Sequence, residues 1–190
     1  MKIWVDLDEV LAETIEKLLK DNNYKLWNKF LKKEDIRSYY IYEMEELWLN
    51  KEQTIELFRK VLFEDKKYKI KPVEWALEKL IEWRNKWYDL EIITARNNIL
   101  KDYTFTWVEK NFPNIFSDIH FVGHFTPDHT PKSVVCKNIW VDIMIEDNFE
   151  YAKDVANCWI KTFLIEKPWN KDLWESKNIV RVKSWDEIEI

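Results

Sequence analysis

From Ile3 to Val5 the chain is apolar without interruption, and three acidic residues then fall within four positions: Asp6, Asp8 and Glu9. The apolar run reads as a short strand buried on both faces. Beyond it the spacing changes. In "LAETIEKLLKDNN" Ile15, Leu18 and Leu19 recur at helical intervals, and in "NKEQTIELFRKVLF" Ile55, Phe58, Val61 and Leu62 mark one face of a second helix. From the first of these to about Pro72 the sequence is charged and aromatic, with no convincing strand. Residues 15–71 therefore read as a small helical insert.

After Pro72 the pattern alternates. "PVEWALEKLIEWRNKW" predicts a helix with Pro72 near its start, "DLEIITAR" a buried strand and "ILKDYTFTWVEKNF" a helix ending before Pro113. "DIHFVGH" predicts a strand, "PKSVVCKNIW" a short helix, "VDIMIED" a strand, "NFEYAKDVANC" a helix, and "IKTFLIE" and "NIVRVKS" two closing strands. Strands alternating with helices predict an α/β fold with a doubly wound parallel sheet, covered on both faces. In such a sheet, ligands bind beyond the carboxyl ends of the strands.

Bulk properties narrow the classes. The 190 residues allow one core, or a core with a small subdomain. No apolar run is long enough to cross a bilayer, and no basic segment followed by an apolar one suggests a secretory leader. Cys136 and Cys158 have neither metal-type spacing nor the number for a disulfide framework, so both are expected to be small core fillers in a reducing cytoplasm. The net charge of −5, with acids and bases interspersed, argues against a nucleic-acid polymer as partner. Oligomeric state is not legible. The chain has one glycine and 12 tryptophans, where about 13 glycines are usual at this length. It therefore lacks the glycines of a P-loop or a dinucleotide fingerprint.

Polar residues gather at the predicted strand ends. The first strand ends in Asp6 and Asp8, the second in Thr94 followed by Arg96. Lys132 opens the short helix, and the fourth strand has Asp142 at its start and Glu146 and Asp147 at its end. Two carboxylates, a hydroxyl, a lysine and a further carboxylate suit a phosphate monoester. The ester's negative charge must be neutralised before a nucleophile can approach. Mg²⁺ suits that task because it prefers hard oxygen ligands, which Asp6, Asp8 and Asp147 can supply, Asp8 either directly or through its backbone carbonyl. One carboxylate of the first pair can then attack phosphorus and the other protonate the leaving alcohol. Lys132 and Thr94 can hold phosphate oxygens.

"DLDEV", "ITAR", "PKSVVCKN" and "VDIMIEDN" together resemble the four motifs of the haloacid dehalogenase (HAD) superfamily, and "LIEKPWN" resembles its 5′-nucleotidase, deoxyribonucleotidase-like branch. The resemblance implies a Rossmann-like core over residues 1–14 and 72–190, with a C1-type helical cap over residues 15–71. The stretch from Asp8 to Thr94 is more than twice that from Thr94 to Lys132, which places the cap after the first motif. The resemblance also implies an Mg²⁺-dependent phosphatase acting through an aspartyl-phosphate on a small phosphate ester such as a (deoxy)nucleotide. Asp6 would be the nucleophile, Asp8 the general acid/base, Thr94 and Lys132 the phosphate contacts, and Asp147 the last metal ligand. Glu146 or Asp142 would be a supporting acid. Apart from the resemblance, Arg96 reads either as a substrate contact or as half of a surface ion pair. Asp8 is absent from dehalogenase members, which favours phosphatase. Two rival readings are a phosphorylatable signalling receiver, in which the lysine comes last in the chain, and a catalytically impaired binding protein.

Other residues carry less. His120 and His124 lie four apart on a predicted strand, where such spacing does not converge on zinc, while His124 and His129 flank a loop at a strand's carboxyl end and could reach substrate. Tyr39, Tyr40 and Tyr42 could stack on a base, but packing within the insert is the better expectation. Trp4, Trp75, Trp87, Trp140 and Trp159 stand where this branch would have glycine, and the Lys, Asn and Ile richness suggests an AT-rich gene. We therefore expect these five to be UGA codons meant as glycine and read as tryptophan, whereas Trp107, Trp169 and Trp185 look native. UGG at Trp87, Trp140 and Trp159 would refute this.

Overall fold

The computed structural model describes residues 1–22, 25–26, 29–64, 70–123, 129–173 and 177–190. In chain order the elements are β1 (Lys2–Val5), α1 (Thr14–Asn22), β2 (Lys25–Leu26), β3 (Lys29–Phe30), α2 (Lys51–Glu64), α3 (Ala76–Asn85), β4 (Asp89–Thr94), α4 (Lys101–Asn111), β5 (Asp118–Phe121), α5 (Lys132–Asn138), β6 (Ile143–Glu146), α6 (Phe149–Ala156), β7 (Lys161–Ile165) and β8 (Ile179–Val182). Six strands form one parallel sheet in the order β5-β4-β1-β6-β7-β8. The expected α/β, Rossmann-like doubly wound architecture is the one found. The order reverses around β1, which puts the ends of β1, β4 and β6 side by side at the crevice.

Both sheet faces are covered. Along β1, Ile3 and Val5 enter the larger apolar cluster while Trp4 enters a second cluster with Ile93, Cys136, Met144 and Val155, as the two-residue period of a strand requires. Helix starts follow local chemistry. Asn50 and Gln53 cap α2 reciprocally, each side chain accepting from the other's backbone N–H at 2.8 and 2.9 Å. Asn148 accepts from the Tyr151 N–H at 3.0 Å at the start of α6.

The segment between β1 and α3 differs from the sequence expectation in two ways. It includes the short antiparallel pair β2–β3, too brief to leave an alternating signature. And α3 begins at Ala76, because Pro72 is held extended in an antiparallel bridge to Ala12. Two flanking bonds, Glu13 N–H to the Lys71 carbonyl (2.9 Å) and Val73 N–H to the Leu11 carbonyl (2.8 Å), complete this strap. β5 ends at Phe121, three residues short of the expected strand end, and His124 lies outside the described residues.

The tryptophans among the described residues divide in two. Trp48, Trp75, Trp87, Trp140 and Trp159 take positive φ, between 52° and 66°, and are 54% to 92% exposed. Trp87 and Trp140 each follow a helix with the bonding of a glycine C-cap: Tyr88 N–H reaches the Trp83 carbonyl at 3.1 Å, and Val141 N–H the Cys136 carbonyl at 3.2 Å. Trp48 joins this set although its sequence context did not single it out. Trp4 does not belong to it: the residue is extended, fully buried, and donates its indole N–H to Glu91 at 2.9 Å. Trp107, Trp169 and Trp185 are buried and each donates its indole N–H.

Candidate active site

Where β1 ends, the Asp6 N–H continues the ladder to the Ile145 carbonyl at 2.9 Å, so the Asp6 side chain emerges between β4 and β6. Its Oδ1 accepts from Lys132 Nζ at 2.5 Å, and Lys132 also donates to Glu146 Oε2 at 2.7 Å. All three side chains are buried. The ammonium lies 4.9 Å from the centre of the Tyr151 ring, a cation–π contact that further stabilises the charge. Burial pushes Asp6 up to about 8 against the pull of Lys132, with the Glu146 charge adding to the rise. Lys132 is held firmly charged: burial opposes this, but the two carboxylates outweigh it.

Asp147 follows at the end of β6. Its Oδ2 accepts from the Trp169 indole N–H at 2.9 Å, and its backbone carbonyl from Asn170 Nδ2 at 2.7 Å. Its Oδ1 is buried and makes no hydrogen bond. Burial, then the charges of Glu146 and Asp6, push this carboxyl well above its usual range. Carboxylate atoms of Asp6, Glu146 and Asp147 lie within 4.8 Å of one another. An orphaned buried oxygen costs roughly 1–3 kcal/mol unless a partner arrives. With an all-oxygen donor set, that partner fits a hard divalent cation such as Mg²⁺.

Asp8 is held differently. Arg96 grips it with two bonds, Nη2 to Oδ1 at 2.7 Å and Nε to Oδ2 at 2.8 Å, and Thr14 donates to Oδ1 at 2.5 Å. Burial would raise its pKa, but the guanidinium and the hydroxyl outweigh burial and hold it below the usual carboxylate range. Thr94 is fully buried at the end of β4, its Oγ1 accepting from the Arg96 N–H at 3.2 Å. Glu9, the third acid of the cluster, turns away to an ion pair with Lys33 of the insert at 2.6 Å and to the Ile15 N–H.

A cavity of about 450 Å³ opens beside Asp8. The insert contributes Ile36, Tyr39, Tyr40, Tyr42 and Phe58, and the strand-end loops contribute Arg96, Asn97 and Trp169. Tyr39 also packs edge-on against Tyr151, 6.2 Å between centroids, and the Asp147 and Asp6 charges help burial to raise its pKa.

Asp6, Asp8, Thr94, Arg96, Lys132, Glu146 and Asp147 thus lie at the carboxyl end of the sheet. Asp142 does not. It lies at the opposite end of β6, where its Oδ2 accepts from the Lys2 N–H at 2.7 Å, so of the two candidate supporting acids only Glu146 is in reach. His120 bonds Glu91 at 2.8 Å and stacks on Trp4, and His129 bonds the Val122 carbonyl at 3.2 Å. Sequence reasoning passed over Thr14, Tyr151 and Trp169 at this site. A hydroxyl at the first residue of α1 and a tyrosine in the first turn of α6, whose side chains lean back toward the helix start, were the available signals for the first two.

Comparison with known proteins follows the same lines. The family model for "5′ nucleotidase, deoxy (Pyrimidine), cytosolic type C protein" matches residues 1–190. A nucleotidase of Clostridium acetobutylicum is 23% identical over 190 residues, covering 99% of this chain and 91% of the relative. Among solved structures, a predicted phosphatase from the same organism superposes with a TM-score of 0.65 at 17% identity, covering 98% of this chain and 94% of that one. A haloacid dehalogenase-like hydrolase from Streptococcus pneumoniae gives 0.63 at 16% identity, covering 96% and 93%. CbbY from Rhodobacter sphaeroides, solved as a mutant with xylulose-(1,5)bisphosphate, gives 0.62 at 12% identity, covering 98% and 95%.

Proposed function

Because this chain belongs to the family of deoxy (pyrimidine) 5′ nucleotidases of cytosolic type C, a branch of HAD-like phosphatases, we propose that it hydrolyses a small phosphate monoester, a nucleotide first among them, through an aspartyl-phosphate at Asp6. The observation that carries this reading is the buried set Asp6–Lys132–Glu146–Asp147, with one orphaned carboxylate oxygen, joined through the Trp169–Asp147 bond to a cavity that Trp169 and Asp8 border and that is large enough for a small metabolite. Residues 15–71 act as a cap over a core formed by residues 1–14 and 72–190.

Asp6, Asp147 and Asp8, the last through its backbone carbonyl because its side chain is engaged by Arg96 and Thr14, would hold Mg²⁺. When bound, the ion neutralises phosphate charge. Lys132 and Thr94 orient the phosphoryl oxygens. An Asp6 oxygen forms a bond to phosphorus while the ester bond breaks, and the leaving oxygen takes a proton from Asp8. Asp8 then removes a proton from water, which attacks the same phosphorus and releases inorganic phosphate with Asp6 restored. The Arg96 pairing favours the base form of Asp8, which the second half-reaction needs; the first half-reaction needs the acid form, so the Arg96–Asp8 pair must open and Asp8 take up a proton as substrate binds. Glu146 keeps Lys132 charged and aimed.

Phosphate release from a panel of nucleotides and sugar phosphates, with and without Mg²⁺, tests the reading. Release from none of them in Mg²⁺ would sink it. The pH dependence provides a second check. Unfolded, Asp6 loses its proton near pH 4, and folded without metal only near 8. Between those values the folded chain binds a proton that the unfolded chain lacks, so metal-free stability falls as pH rises through about 8. Mg²⁺ needs the ionised carboxylate. Its stabilising effect, read as the rise in Tm on adding Mg²⁺, should be larger at about pH 9 than at about pH 6. Equal rises would remove Asp6 from the metal site.

A further inference from the structure

The structure assigns Trp169 a role beyond packing: we propose that its indole N–H is the positioning group that fixes the Asp147 carboxylate for metal binding. The inference rests on the proposed Mg²⁺ site and deepens it.

Asp147 has two side-chain oxygens in different situations. Oδ2 receives the Trp169 N–H at 2.9 Å, both residues buried. Oδ1 has no hydrogen-bond partner, and a carboxylate oxygen of Asp147 lies within 4.8 Å of ones from Asp6 and Glu146. A single donor on one oxygen fixes the rotation of the carboxylate and leaves the other oxygen as the ligating atom. It also selects against alternative rotamers that would turn Asp147 away from Asp6. Outer partners of metal ligands act in this way, and their loss typically costs about 10–100-fold in metal affinity.

Trp169 is itself fixed. The next residue, Asn170, donates from Nδ2 to the Asp147 carbonyl (2.7 Å) and to the Ile165 carbonyl (2.9 Å). Asn170 Oδ1 accepts from the Lys167 N–H at 3.0 Å and from Arg181 Nη1 at 2.9 Å. Arg181 stands on β8. The turn after β7 is therefore held from two strands, and it presents the indole at a set distance from the end of β6. The same ring lines the cavity beside Asp8, so one side chain borders both the carboxylate and the space a substrate would fill.

The test is calorimetric titration of Mg²⁺ into the metal-free chain, its Trp169→Phe variant and its Asp147→Asn variant. Phenylalanine keeps an aromatic ring in the wall and removes the donor together with part of the indole's volume. We expect Trp169→Phe to bind Mg²⁺ about 10–100-fold more weakly, and its phosphatase rate to recover toward the parent's as Mg²⁺ is raised. Melting curves without Mg²⁺ separate the two roles: weaker Mg²⁺ binding at a parent-like Tm marks loss of the donor, not of packing. Parent-like affinity in Trp169→Phe, with Asp147→Asn binding weakly, overturns the role of Trp169 and leaves the metal site standing. A parent that binds no Mg²⁺, or an Asp147→Asn variant that binds as the parent does, overturns the metal site and this inference with it. Circular dichroism without Mg²⁺ verifies the fold. Should Trp169→Phe not fold, Trp169→Leu is titrated against the same criterion.

Discussion

Asp6→Asn is expected to give a folded protein with no measurable turnover. The amide keeps the shape of the carboxylate but is no nucleophile toward phosphorus, and loss of a nucleophile typically lowers kcat by about 10⁴-fold or more. The fold should persist, because Lys132 retains Glu146 at 2.7 Å and the amide oxygen of asparagine can still accept from Lys132. Beryllofluoride, a phosphoryl mimic, should protect Asp6 in the parent and bind the variant poorly. A correctly folded Asp6→Asn protein retaining about a tenth of the parent rate, against the 10⁴-fold loss expected for a nucleophile, would end the covalent mechanism.

The second large effect is on stability. Simultaneous replacement of Trp48, Trp75, Trp87, Trp140 and Trp159 by glycine should raise Tm, although five of the largest side chains are lost. Each stands at positive φ, where a Cβ crowds the following carbonyl at a cost of about 1–2 kcal/mol. Glycine removes that cost and returns roughly 0.5–1 kcal/mol through its freer unfolded state. The net gain is about 0.5–1 kcal/mol per site, roughly 3–5 kcal/mol together. At about 2–4 °C per kcal/mol for a chain of this size, Tm should rise by roughly 10 °C. Little burial is forfeited, since all five are more than half exposed. Trp4 is left in place, being buried and extended; its removal would open a cavity costing about 3–5 kcal/mol. A fall in Tm of the five-site variant would show that these tryptophans belong where they stand, and the codons give the independent check: UGA at the five positions and UGG at Trp107, Trp169 and Trp185.

Most of the site was legible because order along a parallel α/β chain dictates position. Once β1, β4 and β6 are strands of one sheet, Asp6, Thr94 and Asp147 must share its carboxyl edge, and Lys132 follows from the helix that precedes β6. The same rule separates Asp142 from Glu146. Both lie on the strand, but one precedes and the other ends it. What the sequence could not disclose were contacts decided by side-chain reach across unrelated segments. The Arg96 grip on Asp8 and the Trp169 bond to Asp147 leave no periodic trace. Nor does a turn conformation: Trp48 ends a single helical turn too short to show a period, so its positive φ was not foreseen, whereas Trp87 and Trp140 stand in the predicted gap between a helix and a strand.

The strap at Ala12 and Pro72 gives the chain a particular kind of evolutionary freedom. The backbone leaves the sheet and returns to it through hydrogen-bonded neighbours, Glu13 beside Lys71 and Leu11 beside Val73. Everything carried between those points is an excursion whose two ends already touch. It can lengthen, shorten or be exchanged for another sequence without shifting the register of any pair in the six-stranded sheet, while the acids at the strand ends stay where they are. Selection can thus remodel what the cavity admits, residue by residue or wholesale, on a chemical apparatus that need not be invented again.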